Sequence, residues 1–366
     1  MTNTQKKVLI YGQVQSGKTS RIIEYVRNNS ININILMIQN NLSMLAQYEK
    51  ALENYKIFNF TVSNKNVNFI SRAIGKINRN IVLIVMNNNY RREALEMLIS
   101  KAKIKKYSLI MDESDLYHRN LKITNLYEKA TECVHVTATP FLSDYNAYFD
   151  DVIVIPPKEE YVSLKKLDIK FIPEIEVSEL NTVMNIVSND FLKEKQGIML
   201  ITIHKRITHM ETLARQLYRH KSLTKVPIVM LSSNNMLYFN SKIKELPKLS
   251  ISEIISGLDE HQHIIFIANR LATRGINYSD TTYTRHLTHQ IINKNNSMTN
   301  FIQRCRILGN KQGMSNKLKL YCFDCDEEYF QKVLEKVENI EKNIEHLKVG
   351  YVKPVDKPKL VRTKTV

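Results

Sequence analysis

The sequence has few of the residues that mark secreted or membrane-bound proteins. It contains no tryptophan and only 4 cysteines among 366 residues. Four cysteines are too few for a disulfide framework in a chain of this size, and no apolar signal segment follows Met1, so we expect a reduced, intracellular protein. No run approaches the roughly 18 apolar residues that cross a bilayer, so no membrane partner is expected.

Acidic residues are also scarce relative to basic ones. Lys and Arg number 53 against 36 Asp and Glu, a formal net charge of +17. Such an excess attracts polyanions, of which nucleic acid is the usual one. The bias toward Asn, Ile and Lys is typical of an AT-rich genome, such as that of a large DNA virus, a phage or an AT-rich bacterium. Lysine-rich coding alone would therefore also give a basic surface.

The order of apolar runs predicts an α/β protein. Short apolar runs alternate with longer amphipathic ones, as in parallel strands joined by helices. The first set of predicted strands is 6–11, 33–38, 81–86, 107–111 and 134–137, with helices over 18–28, 43–54 and 90–103. The second set of predicted strands is 197–202, 227–231, 263–268 and 317–323.

A chain of this length holds two ordinary domains, each with its own core. Pro156 and Pro157 cannot continue a central strand, so residues 151–174 are interpreted as an extended linker. Residues 325–346 have a charged helical pattern that we expect to close the second domain. The expected division is a first domain over 1–150, a linker over 151–180, a second domain over 181–350 and a flexible basic tail over 351–366.

The segment GQVQSGKT, residues 12–19, fits the phosphate-loop pattern G-x-x-x-x-G-K-[ST] between a predicted strand and a predicted helix. Glycines let the loop turn its N–H groups toward phosphates. Lys18 is expected to reach the β- and γ-phosphates of ATP, and Thr19 to ligate Mg²⁺. The alternative is a glycine turn with an incidental lysine. The predicted nucleotide-binding residues are Gly12, Gln13, Val14, Gln15, Ser16, Gly17, Lys18 and Thr19.

The segment DESD, residues 112–115, directly follows the apolar run at 107–111. A carboxylate at the end of a buried strand beside a phosphate loop can hold Mg²⁺ through water, and this role is predicted for Asp112. Glu113 is then placed to orient and deprotonate the attacking water. An acidic pair after a strand is common by itself. The order and spacing after the phosphate loop favour the catalytic interpretation.

Five short motifs together resemble those of superfamily 2 helicases, in the same order. DESD resembles the D-E-x-D box, and TATPF at 137–141 resembles the third motif. ANRLATRGIN at 268–277 resembles the fifth motif, and FIQRCRILGNK at 301–311 is similar to the sixth. The resemblance implies two tandem RecA-like domains with mainly parallel sheets and a cleft between them, followed here by a C-terminal helix and the basic tail.

The resemblance also implies residue roles. Gln303 and Arg306 would face ATP bound by the first domain, with Arg306 as the arginine finger. The usual spacing of the sixth motif is not kept, so Arg304 competes for that role. Thr139, Arg274 and Gly275 are the candidates for coupling and for contact with nucleic acid, either DNA or RNA. A single strand lying across both domains is expected, held by backbone contacts and not by base readout.

Within the superfamily, the pattern is similar to the helicase-like ATPase domain of restriction-associated putative endonucleases. That family carries V-Q-S-G-K-T, T-A-T-P-F and P-P-x-x-x-Y, found here at 14–19, 137–141 and 156–161. Its sixth motif reads Q-x-G-R-x-x-G-x-R, from which Cys305 and Lys311 depart. No nuclease block is apparent in the remaining residues.

Other interpretations stay open at this point. One is an ATPase motor subunit of a restriction, packaging or transcription complex without intrinsic unwinding. Others are an inactive nucleic-acid-binding scaffold and a small-molecule kinase. His286 and His289, with Cys322 and Cys325, have spacings that suit zinc. Residues three apart in a strand point to opposite faces, which favours core positions instead.

Overall fold

The computed structural model describes twelve stretches of the chain. They are residues 5–40, 42–59, 65–76, 81–116, 124–140, 149–172, 179–203, 206–232, 234–247, 249–269, 276–311 and 318–349. The predicted coupling residues Arg274 and Gly275 and the predicted tail at 351–366 lie outside the described residues.

The first unit is an α/β layer structure built on seven parallel strands. Its strands are β1 (Lys6–Tyr11), β2 (Ile33–Ile38), β3 (Lys56–Asn59), β4 (Ile81–Met86), β5 (Ser108–Asp112), β6 (Glu132–Thr137) and β7 (Asp151–Val154). Its helices are α1 (Lys18–Asn28), α2 (Leu42–Ala51), α3 (Lys65–Ile74), α4 (Asn89–Lys101) and α5 (Thr124–Glu128). The strand order is β3–β4–β2–β5–β6–β1–β7, and the pairings among the described residues are all parallel.

The second unit is built on a larger, mostly parallel sheet. The remaining strands are β8 (Tyr161–Val162), β9 (Asp168–Ile172), β10 (Gly197–Thr202), β11 (Ile228–Leu231), β12 (Met236–Phe239), β13 (Lys242–Glu245), β14 (His263–Ala268), β15 (Leu287–Asn293), β16 (Gly309–Asn310) and β17 (Lys319–Phe323). The helices are α6 (Glu179–Asn189), α7 (Ile207–Tyr218), α8 (Ile251–Ser256), α9 (Met298–Arg304) and α10 (Glu327–Asn343). Strands follow the order β13–β12–β11–β14–β10–β15–β17–β9, and only the β11–β12–β13 end is antiparallel.

The predicted fold class, α/β with two mainly parallel sheets, is confirmed. The central strands are apolar on both faces because helices cover both sides of each sheet. In the first unit, β4 is buried at all six positions, and in the second, β10 is buried at all six. In the described part of the chain, none of the helices combines the length and the apolar character needed to cross a bilayer.

The segment at 151–174 is not the extended linker that the two prolines indicated. It contains β7, which extends the first sheet beside β1, and β9, which forms the edge of the second sheet beside β17. Between them, β8 pairs with β16 in an antiparallel arrangement. Pro156 and Pro157 lie between β7 and β8, so they interrupt no ladder, and each strand forms despite them.

Helix α10 contacts both units. Its N-cap is Asp326, whose carboxylate accepts a hydrogen bond from the backbone N–H of Tyr329 at 2.7 Å. The first half of the helix buries Phe330 and Val333 in the core of the second unit. Its end and the following turn bury Ile340 and Leu347 against the first unit, where their cluster includes Leu9, Tyr11, Phe149 and Ile344. The predicted C-terminal helix therefore closes the second domain and also returns to the first.

The four potential zinc ligands do not form a site in the structure. Within the described residues, the one group of three or more possible metal ligands is Asp190, Glu194 and His289. Lys319 donates to the carboxylates of Asp190 and Glu194, so an ammonium group already occupies the space between them and offsets part of their negative charge. Cys322 is a residue of β17 and packs in the apolar core of the second unit, as a small buried hydrophobic residue does.

Buried His289 makes the stability of the second unit sensitive to acid. Burial, and then the charge of Lys319, lowers the pKa of His289 to about 4 from an ordinary value of 6.5. Between these two values the unfolded chain binds a proton that the folded chain does not. The free energy of unfolding therefore falls as the pH falls from 6.5 to 4.

We expect His289→Gln to reduce this loss of stability, by on the order of 3 kcal/mol between pH 6.5 and pH 4. Urea denaturation at several pH values measures it. His220→Gln is the matched control, because His220 lies on the surface, and it should keep the pH dependence of the unmodified protein. Parallel curves for His289→Gln and the unmodified protein would contradict the assignment.

Candidate nucleotide site

The three motifs of the first unit meet at one edge of its sheet. Strand β6 lies between β1 and β5, with Tyr11 of β1 opposite Thr137 and Asp112 of β5 opposite Val136. Because the carboxyl ends of parallel strands lie at the same edge, the segments that follow these strands are neighbours. Ligands of α/β sheets bind at such an edge. The phosphate loop, DESD and TATPF thus surround one point.

The phosphate loop has the backbone geometry that its glycines predict. A Cβ on Gly12 would lie 2.4 Å from Oγ of Ser16, so this position has no room for a side chain. Gly17 has a φ of +97° and forms the N-cap of α1, which leaves the first N–H groups of the helix open to an anion. Gln15 also has a positive φ, of 58°. The loop is therefore a concave backbone surface of the anion-binding kind.

Lys18 is buried at the start of α1 and turns back onto the loop. Its ammonium group donates to the carbonyl oxygens of Gly12 at 3.2 Å and Gln13 at 3.0 Å. Burial lowers the pKa of Lys18, while the negative charges of Glu113 and Asp112 oppose that change. The lysine and both acidic residues consequently lie close enough to act on the same ligand.

The predicted acidic pair is buried beside the loop. Glu113 is 3% exposed and has a positive φ of 57°, a conformation that costs energy for a residue with a side chain and is typical of functional sites. Burial, and then the charge of Glu113, raises the pKa of Asp112 to about 7. A nearby cation would lower it again.

Tyr48 on α2 belongs to this site although no motif contains it. Its hydroxyl donates to Oδ2 of Asp112 at 2.7 Å and also hydrogen-bonds with the side chain of Thr19. Burial, and then the charge of Asp112, raises the pKa of Tyr48, so the phenol keeps its proton. One hydroxyl thus holds together the two residues predicted to bind Mg²⁺.

The donors and acceptors at this point fit ATP with Mg²⁺. Several buried oxygen atoms of this site have no hydrogen-bond partner among the described residues, including Oγ of Ser16, Oε2 of Glu113, Oγ of Ser114 and Oε1 of Gln303. Buried polar atoms normally have partners, so these are available to a ligand. Thr19 and Asp112 supply the oxygen ligands that Mg²⁺ prefers.

Residues 303–311 of the second unit form the opposite wall. Nε2 of Gln303 donates to Oγ1 of Thr139 at 3.0 Å, and Nε2 of Gln15 donates to the carbonyl oxygen of Ile276 at 3.2 Å. Gly309 packs so closely on the phosphate loop that a Cβ there would lie 2.7 Å from Cβ of Gln15. The structure therefore brings the glycine loop and the glutamine–arginine segment together.

The two candidate arginines differ in what they contact. Arg304 donates to the carbonyl oxygen of Thr202, inside the second unit. Arg306 donates from Nε and Nη2 to the carbonyl oxygen of Ile276, at 3.1 and 2.7 Å. The positive charge of Arg306 also contributes to the lowered pKa of Lys18. Arg306 is thus the one that lies toward the phosphate loop.

Thr139 connects the acidic motif to the second unit. The carboxylate of Asp115 accepts hydrogen bonds from the hydroxyls of Thr137 at 2.9 Å and Thr139 at 3.3 Å. Because Gln303 donates to the same hydroxyl of Thr139, a continuous polar chain crosses between the units. Asp115, the last residue of DESD, was not among the predicted site residues.

Comparison with known proteins gives little beyond this geometry. No protein-family model and no curated sequence matches the chain. Among solved structures, the chain is similar to a DEAD box protein from the hyperthermophile Methanococcus jannaschii. The two are 18% identical, the match covers 93% of this chain and 87% of that chain, and the TM-score is 0.45.

The close packing of Gly309 can be tested by adding one methyl group. Gly309 has a φ of +116°, so Gly309→Ala adds the cost of a left-handed alanine to the overlap with Gln15. We expect the free energy of unfolding to fall by at least about 1–2 kcal/mol in urea denaturation. The control is Gly75→Ala, whose added Cβ would lie 3.8 Å from the carbonyl oxygens of Ser71 and Arg72, an ordinary van der Waals distance. An equal loss in both variants would show that the contact with Gln15 is unimportant.

Proposed function

We propose that this protein is an ATP-dependent nucleic-acid helicase or translocase of the superfamily 2 type. One observation supports this above all: the phosphate loop of one unit meets residues 303–311 of the other, where Gly309 packs on Gln15. Beside this contact, Gln303 donates to Thr139 at 3.0 Å. A small-molecule kinase has no need of a second unit that carries Gln303 and Arg306 to the phosphate loop. We also propose the division into two domains at 1–150 and 181–350, with the first extended by β7 and the second by β9.

In this proposal the first unit binds ATP and activates water. The N–H groups of the phosphate loop and the ammonium group of Lys18 would hold the phosphates. Thr19 and Asp112 would hold Mg²⁺, which when bound neutralises charge on the phosphate oxygens. Glu113, with its unpartnered Oε2, would orient a water molecule and accept its proton.

The second unit would stabilise the transition state. Arg306 donates to the carbonyl oxygen of Ile276, which also accepts from Gln15 of the loop, and its guanidinium group would turn to the transferring phosphate when ATP is bound. A cation there stabilises the developing negative charge. Gln303 would contact the bound nucleotide or its attacking water through Oε1, which has no hydrogen-bond partner in the described part of the chain, while its Nε2 donates to Thr139. The presence of nucleotide would thus affect the contact with Thr139.

Nucleic acid would bind across both units. The polar chain of Asp115, Thr139 and Gln303 links the acidic motif to the second unit, so a change at the nucleotide reaches both. Arg274 and Gly275 are proposed to contact the strand. The net charge of +17 supports binding to the phosphate backbone, with an affinity that falls as salt rises.

ATP hydrolysis should be stimulated by nucleic acid and depend on Lys18. We expect Lys18→Ala to reduce the stimulated rate by about 10²-fold or more, because the charge that holds the phosphates is lost. The assay compares single-stranded DNA, duplex DNA and RNA at two salt concentrations. Hydrolysis that no nucleic acid changes would argue for a kinase. Stimulated hydrolysis without release of a labelled strand would favour a motor subunit that does not unwind.

Substitution of Arg306 should lower the rate of ATP hydrolysis, whereas substitution of Arg304 should lower the stability of the protein. We expect Arg306→Ala to lower turnover by about 10³-fold while ATP binding stays nearly intact, as for an arginine finger. Arg304→Ala is the matched comparison, and we expect it mainly to lower stability, since it removes buried bonds within the second unit. Turnover lost in Arg304→Ala, with Arg306→Ala active, would reverse the assignment.

A further inference from the structure

We propose that Tyr161 is a positioning residue of the phosphate loop and joins that loop to β16, within residues 303–311. This inference rests on the proposed function, because it assumes that the loop binds the phosphates of ATP. Tyr161 ends the P-P-x-x-x-Y segment at 156–161 and is 4% exposed. Its hydroxyl donates to the carbonyl oxygen of Val14 at 2.8 Å, across 147 residues of sequence.

The bonded carbonyl belongs to the peptide that precedes Gln15. A trans peptide is planar, and its C=O and N–H groups point in opposite directions. When Tyr161 holds the oxygen of Val14 on one side, the N–H of Gln15 is directed to the other. Gln15 also has a φ of 58°, which a residue with a side chain keeps only when its surroundings hold it there. The hydroxyl of Tyr161 thus fixes a strained peptide in the middle of the loop.

The backbone of Tyr161 is tied to the second unit. It pairs with Asn310 in the antiparallel pair β8–β16, and Lys311 donates from its backbone N–H to the carbonyl oxygen of Glu160 at 3.3 Å. The same short strand, β16, begins at Gly309, which packs against Gln15. Tyr161 therefore contacts the phosphate loop with its side chain and the arginine segment with its backbone.

The two groups of this contact are buried among apolar side chains. Val14 belongs to the same buried cluster as Leu164, Ile302 and Leu308, which come from the segment after β8 and from the second unit. A hydrogen bond in such a place is directional and is not readily replaced by water. Loss of the hydroxyl alone would leave the carbonyl of Val14 without its donor and the peptide free to turn.

The test is Tyr161→Phe, which keeps the ring and removes the hydroxyl. We expect the dissociation constant for ATP·Mg²⁺ to rise roughly 3- to 10-fold, because one ordered N–H of the loop is lost. Binding is measured by fluorescence titration with a labelled ATP analogue, and the KM for ATP in the hydrolysis assay should rise by the same factor.

Tyr107→Phe is a matched control in the first unit, the unit that carries the phosphate loop. Tyr107 is also buried, and its hydroxyl donates to a backbone carbonyl, that of Leu126, at 2.6 Å. This variant loses a bond of the same kind away from the phosphate loop, so it should lower the unfolding midpoint without changing nucleotide affinity. Thermal unfolding of both variants separates stability from binding.

The outcomes distinguish this inference from the function on which it rests. If the unmodified protein binds no ATP, the proposed function is wrong. If it binds ATP and Tyr161→Phe binds equally well, the positioning role of Tyr161 is wrong. An equal loss of affinity in Tyr107→Phe would also overturn it, because the effect would then come from general destabilisation.

Discussion

The contact between the phosphate loop and residues 303–311 is the constraint on which the rest of the structure depends. Gly309 of the second unit permits this contact because it has no side chain, and Gln15 of the first unit packs against it. Around this point, Gln303 bonds to Thr139 and Val14 enters the core of the second unit. The two α/β units therefore meet at this point, and the proposed chemistry lies there.

Much of the fold could be predicted because its central strands are apolar on both faces. Strand β15 was missed, since Thr288, His289 and Gln290 interrupt its apolar run, yet all three are buried. The polar atoms of Thr288 and Gln290 find partners inside the unit: Oγ1 of Thr288 donates to the carbonyl oxygen of Ile198 at 3.1 Å, and Oε1 of Gln290 accepts from the backbone N–H of Ile307 at 3.0 Å. A sequence pattern cannot show such partners, because they come from distant segments.

The motif residues of the site could be predicted, whereas the residues that hold them could not. Lys18, Asp112 and Glu113 occupy positions that the phosphate loop and the acidic box define. Tyr48 and Tyr161 reach the site from a helix and from the segment between the sheets, and tertiary packing alone brings them there. The choice between Arg304 and Arg306 likewise depends on the direction in which α9 ends, which the irregular spacing of the motif leaves open.

Helix α10 has a consequence for how the two units can move. The chain passes from the first unit to the second through residues 155–167 and comes back along α10, whose 17 residues span about 25 Å. Two units joined at two places behave as a hinged pair, because separation at one connection is resisted by the other. Opening of the cleft would then be a rotation of one unit about the line through residues 155–167 and α10. The parts of each sheet that lie farthest from this line would move most.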